Sequence, residues 1–185
     1  MSLGIKLMQA VQKEAAMRRP FPLQAQATET ALRGMEVHAS AQVADHDRFS
    51  HMASELIVKV ERAVSIPSHP PAAHSHSVAR APDPAARAQK FTERATYLTE
   101  RLQLVETDAG GTAIVRSTPE TMAGPRAPYY EAKVREDSIE LKRYKPNTGE
   151  PGRHAIPFCL TDETLTRVVD DAAAALGVGR PTGKP

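Results

Sequence analysis

The sequence has few wide aromatic side chains, one cysteine, and no apolar run long enough to cross a bilayer. There is no tryptophan, and only four Phe and four Tyr occur in 185 residues, so one core drawn from the whole chain would lack large anchors. Cys159 has no partner for an internal disulfide. Within Phe158-Cys159-Leu160 it reads as a small buried hydrophobe, not as a nucleophile. No stretch approaches the roughly 20 apolar residues of a membrane span, and the first residues lack a signal-peptide core with a small-residue cleavage site. A cytoplasmic protein without membrane contact is the expectation.

Catalytic patterns are missing as well. No Ser/His/Asp, Cys/His or carboxylate pair stands in a recognisable context, and neither Gly110-Gly111 nor Gly149 with Gly152 has the spacing of a phosphate-binding loop, so they read as turn glycines. Asp47, His51 and Glu55 recur every fourth residue, with His46 adjacent, and a solvated helix face explains them better than a metal site, which needs convergent ligands. No enzyme, no cofactor and no metal are expected.

The formal net charge is +2, but it is unevenly spread. Residues 1–35 hold five Lys/Arg against two acids, 126–153 hold seven against five, and 161–176 hold one against four. A basic segment and an acidic helix therefore offer two different surfaces.

From Leu3 to Arg18, Leu7, Val11 and Ala15 recur at helical spacing, and Pro20 stops the helix. Leu23 to Val64 also reads as helix, with Val43, Phe49, Met52, Leu56, Val60 and Val64 as its stripe. Such a stripe needs a cover, either the first helix or a second copy of the chain. Residues 65–84 carry Pro67, Pro70, Pro71, Pro82 and Pro84 with His69, His74 and His76, a composition too poor in apolar side chains to fold, and read as a linker.

From Ala85 to Arg101 helical spacing returns through Ala88, Phe91, Ala95 and Leu98. Two period-two runs, 102–106 and 112–115, flank Gly110-Gly111 as a hairpin; Tyr129–Val134 and Ser138–Tyr144 form a second. After a basic Gly/Pro turn and a strand through Phe158-Cys159-Leu160, Thr161 caps a helix striped by Leu165, Val168, Val169, Ala172 and Leu176, with Gly177 as its stop. The expected architecture is α+β: a helical region (1–64), the linker (65–84), a domain (85–176) with a small antiparallel sheet of about five strands and a C-terminal amphipathic helix, and a disordered tail (177–185).

Ile139-Glu140-Leu141-Lys142-Arg143-Tyr144, then Thr148-Gly149-Glu150-Pro151-Gly152-Arg153-His154 and an amphipathic helix, resembles the C-terminal module of the transcriptional-coactivator family known as positive cofactor four. The resemblance covers about Tyr129 to Leu176. It places Lys142 on the family's basic strand position, Tyr144 on its tyrosine, and Pro151, Gly152 and Arg153 on its turn. Where the family has a tryptophan this chain has Lys145, and the turn lysine and glycine are His154 and Ala155. The resemblance implies single-stranded DNA binding by a dimer whose curved sheets hold the strands and whose helices form the interface.

The residues themselves allow Lys133, Arg135, Lys142, Arg143, Lys145 and Arg153 to track phosphates, and Tyr129, Tyr130 and Tyr144 to stack on bases. Alternation puts Lys142 and Tyr144 on one face of their strand, Arg143 and Lys145 on the other. The leading expectation is a non-enzymatic protein binding single-stranded DNA or RNA electrostatically. The alternative is an assembly subunit, a homo-oligomer with a dimer favoured, joined by its N-terminal helices and without a nucleic-acid role.

Overall fold

A computed structural model describes residues 1–17, 21–31, 35–47, 50–62, 83–118, 127–149 and 151–178. Helix α1 (Leu3–Ala16) begins where the Ser2 side chain accepts the Ile5 N–H, and it buries Leu3, Leu7 and Val11. Three antiparallel strands follow: β1 (Leu23–Thr30), β2 (Met35–His46) and β3 (Ser50–Arg62).

These strands correct the helix expected between residues 23 and 64. In β1, Leu23, Ala25 and Ala27 point into the core and Gln24, Gln26 and Thr28 point out; in β2, Val37, Ala39, Ala41 and Val43 point in. Alanine fills four of these seven inward positions, and its helix propensity hides a period of two. In β3 a bulge adds the second disguise. Gln42 lies opposite Glu55, and Val43 opposite Ala53, so Ser54 is an extra residue. Core positions thus run His51, Ala53, then Leu56, Val58. The step of three across the bulge imitates a helical interval. Phe49 and Val64, the linker reading from 65 to 82, and the tail from 179 onward lie outside the described residues.

Helix α2 (Pro84–Arg94) starts behind Asp83, with Pro at the first helical position, and stops at Ala95, short of the expected Arg101. The chain then gives β4 (Leu102–Thr107), β5 (Ala113–Ser117), β6 (Tyr129–Val134), β7 (Ser138–Pro146), β8 (Arg153–Ile156), β9 (Phe158–Thr161) and helix α3 (Asp162–Ala175). The two expected hairpins are β4–β5 and β6–β7.

The described residues form a mixed α+β protein built on one antiparallel sheet of nine strands, where about five were expected. Its order is β1-β2-β3-β7-β6-β5-β4. Strand β3 pairs with β7 through Leu56–Lys59 and with β9 through Ser50–Ala53. Strand β7 continues past Leu141 and pairs with β8 through Arg143–Pro146. Where β3 and β7 part, β8 and β9 fill the fork, and the hand-over falls at Pro157, which has no N–H for a ladder. A single sheet therefore joins the block before residue 62 to the block after residue 83.

The three helices of the described residues lie on one face. Helix α3 crosses the centre, with Leu165, Val168, Val169, Ala172 and Leu176 buried, and α1 and α2 pack on either side of it. Each of the larger aliphatic side chains contributes about 1.5–3 kcal/mol by leaving water. At the α1–α3 crossing a Cβ on Gly4 would come within 2.1 Å of the Thr166 carbonyl oxygen, while the Gly4 N–H donates to Asp170 at 2.8 Å. The two helices touch backbone to backbone there. The C-terminus of α3 closes as a Schellman motif: Val178 N–H donates to Ala173 and Gly177 N–H, at φ 86°, to Ala174. Thr161 caps the other end as its sequence indicates.

Cys159 is exposed, correcting the buried reading. In β9 Phe158 and Leu160 take the core side, which sends Cys159 to the other face. Among the described residues no helix is long and apolar enough to cross a membrane.

Candidate nucleic-acid interface

The face of the sheet opposite the helices is uncovered among the described residues, and the antiparallel register fixes which side chains meet on it. Tyr129 lies opposite Tyr144, Glu131 opposite Lys142, and Lys133 opposite Glu140. Strand β5 adds Arg116 beside Glu131 and Ile114 beside Lys133; β3 adds Ile57 beside Glu140. One row across four strands alternates in sign: Arg116, Glu131, Lys142, Glu55. Opposite charges on directly facing positions stabilise a sheet by roughly 0.2–1 kcal/mol per pair.

Glu131 is the centre of the cluster. Arg116 Nε donates to its Oε2 at 2.8 Å, Arg153 Nη2 donates to its Oε1 at 2.8 Å, and Arg153 Nη1 donates to its Oε2. Burial alone would push this carboxyl up, but the hydrogen bonds from Arg153 and Arg116 outweigh it and hold it below the ordinary Glu value. The same bond to Glu131 pushes the Arg153 guanidinium up.

Arg153 reaches this place from the first position of β8, opposite Pro146 and so on the same side of the sheet as Tyr144. Its guanidinium sits 4.2 Å from the Tyr144 ring centroid and donates to the Tyr129 hydroxyl at 2.8 Å. The two tyrosine rings are 6.2 Å apart, tilted by 34°. Gly149 and Gly152, at φ 88° and 120°, make the β7–β8 turn.

Lys142 lies between two carboxylates, 2.6 Å from Glu55 and 2.7 Å from Glu140. Desolvation would lower its pKa, yet the two acids raise it above the ordinary lysine value, and Lys142 in turn helps hold Glu140 low against burial. Arg135, in the β6–β7 turn, reaches Glu140 at 3.8 Å. Lys133 shares the open face but makes no ion pair among the described residues.

Two of the expected contact residues point the other way. Arg143 turns to the helix side, where Nη2 donates to Glu100 at 2.6 Å and its guanidinium lies 4.7 Å from the Tyr130 ring centroid. Lys145 alternates with it and is exposed at the end of β7. Tyr130, also expected as a stacking residue, is buried edge-on against Phe158. Around Arg143 the polar groups form a network: the Ser117 hydroxyl donates to Glu100, and the Tyr130 N–H donates to Ser117 Oγ at 2.7 Å, while Arg143 Nε is buried without a hydrogen-bond partner among the described residues.

The structure thus brings together Lys133, Lys142, Tyr144 and Arg153, puts Arg135 at their margin, and separates Arg143 and Lys145. Sequence reasoning misses Arg116 and the carboxylates Glu55, Glu131 and Glu140 as members of the site. Alternation in Ile114-Val115-Arg116 is a signal for the first. Glu55 has none as long as β3 reads as helix.

His51 belongs elsewhere. It is a buried strand residue, with Nε2 2.7 Å from Asp162 Oδ1, and Gln12 donates to the other Asp162 oxygen at 2.9 Å, so the trio ties β3, α3 and α1 together. Among the described residues no group of three His, Cys, Asp or Glu could hold a metal ion.

Compared with protein-family models, with curated proteins and with solved structures, the chain matches none.

Proposed function

We propose that the chain is a non-enzymatic binding protein whose open sheet face takes single-stranded DNA or RNA. The observation that carries the reading is the Tyr129–Tyr144 pair on an uncovered face, flanked by Arg116 and Arg153. Every base has a π-face, and stacking on an aromatic ring contributes about 1–3 kcal/mol per base. The Arg153 guanidinium already lies 4.2 Å from the Tyr144 ring centroid.

The alternating charges keep the face near neutral. Stacking rather than Coulomb attraction therefore supplies most of the affinity, and Lys133, Arg116 and Arg153 are the phosphate contacts. Three contacts on a single strand give a log-affinity slope of about −2 against log salt. Fluorescence anisotropy with a labelled oligothymidine across a salt series tests this. A slope near that value supports the reading; no binding at about 50 mM salt, or binding indifferent to salt, refutes it.

The resemblance to positive cofactor four supports the order of strand, turn, strand and helix, but α3 buries its apolar stripe inside its own chain. A dimer would need another surface.

A further inference from the structure

We propose that two copies of the chain pair through the outer edges of their β1 strands, continuing the sheet across a twofold axis. The inference does not depend on nucleic-acid binding. Strand β1 ends the sheet, and among the described residues no strand covers its outer edge. Its eight residues pair with β2 without a register shift.

The direction of its backbone groups follows from two hydrogen bonds. The Ala31 N–H donates inward to the Met35 carbonyl, and the Thr28 carbonyl accepts from Lys6 Nζ at 3.2 Å on the outer side. Backbone groups alternate along a strand, so Gln24, Gln26, Thr28 and Thr30 present their N–H and C=O outward. This is a regular, unpaired ladder.

Edges are normally blunted by lysine, proline, a bulge or a covering element. The opposite edge shows one such device: in β4 the register jumps from Leu104 opposite Val115 to Glu106 opposite Ile114, leaving Val105 as a bulge. Strand β1 has none within it. Its sequence Leu-Gln-Ala-Gln-Ala-Thr-Glu-Thr contains no proline and no lysine. Charge near it comes from Glu29, on the core side beside its last residue, and from Lys6 of the neighbouring helix.

The occupant is a second copy because the edge is self-complementary. Helix α1 runs antiparallel to β1, with Lys6 at the Thr28 end and Met17 at the Leu23 end. Antiparallel pairing of two β1 strands about Gln26 or Ala27 sets the Leu23 end of one copy beside the Thr30 end of the other. The Leu23 end carries the exposed Met17, at 48%, while Phe21 turns inward onto His46 of β2, with ring centroids 5.8 Å apart; the other end carries Met1. The axis brings these two ends together, covering Met17 and Met1. It also carries Lys6 toward the carbonyl end of the partner's α1, where a cation is favoured.

Sedimentation of the full chain over a concentration series tests this, with Gln26→Pro and Gln26→Lys as variants. Proline at 26 removes an outward N–H and leaves the β2 ladder intact; lysine places like charges near the axis. The expected result is a wild-type dimer, and folded variants that sediment as single chains with at least a tenfold weaker association. A wild type that stays monomeric at about 100 µM overturns the proposal, as does a folded variant that remains dimeric. If Gln26→Pro fails to fold, Gln26→Lys decides.

Discussion

Arg143 and Tyr144 are neighbours in one strand, yet they belong to two different parts of the molecule. On the helix side Arg143 packs with Glu100, Ser117 and Tyr130, donating to Glu100 and to the Tyr130 hydroxyl. On the open side Tyr144 lies beside Tyr129 under a guanidinium, next to the ion pairs that Arg116 and Arg153 make with Glu131. Both sides use arginine, glutamate and tyrosine. The difference teaches that the face a side chain takes, not its residue type, decides which polar groups pack under the helices and which stand on the open sheet.

The contrast can be broken most sharply from the covered side. Arg143→Ala leaves Glu100 as a buried charge without its cation, and thermal or urea unfolding should show a loss of about 3 kcal/mol. A loss below about 1 kcal/mol would mean the network is wetter than its geometry indicates.

Glu131 comes next, because it is a buried carboxylate placed on the open face. Glu131→Gln should cost about 2 kcal/mol by weakening its charged hydrogen bonds. Its folded-state pKa is lowered, so its contribution is present above the unfolded value of about 4.3 and is lost as pH falls through the folded value. Wild-type stability should therefore drop on acidification below about pH 4, and the variant should show a shallower drop. Equal slopes would remove Glu131 from the acid response.

Tyr144→Ala should weaken oligonucleotide binding by about 1–2 kcal/mol with a small change in melting temperature, the opposite signature to Arg143→Ala. The smallest effect is expected at Lys142. Because its two partners are partly exposed, Lys142→Ala should cost under about 1 kcal/mol and leave affinity within about twofold.

The second half of the fold is legible in the sequence because local signals agree there. Thr161, Asp162 and Gly177 bracket α3, and alternation with short turns marks β4–β5, apart from the Val105 bulge, and β6–β7. The same alternation, a property of the strand's own residue order, separates Lys142 and Tyr144 from Arg143. The first half is obscured by alanine at inward strand positions and by the Ser54 bulge, which breaks the period of two where the strand is longest. The neutralisation of the cations is hidden for a different reason. Lys142 meets Glu55 across a pairing of β3 with β7 that spans more than eighty residues of chain, and no local pattern records such a register.

The central claim is that the open face binds through its tyrosine pair while the covered face only folds. The most direct test is an anisotropy titration of a labelled single-stranded oligonucleotide at about 50 mM salt, comparing wild type with Tyr129→Ala/Tyr144→Ala. The account predicts an affinity at least about tenfold lower in a double variant that keeps its far-UV spectrum. Unchanged affinity in that folded variant would contradict it.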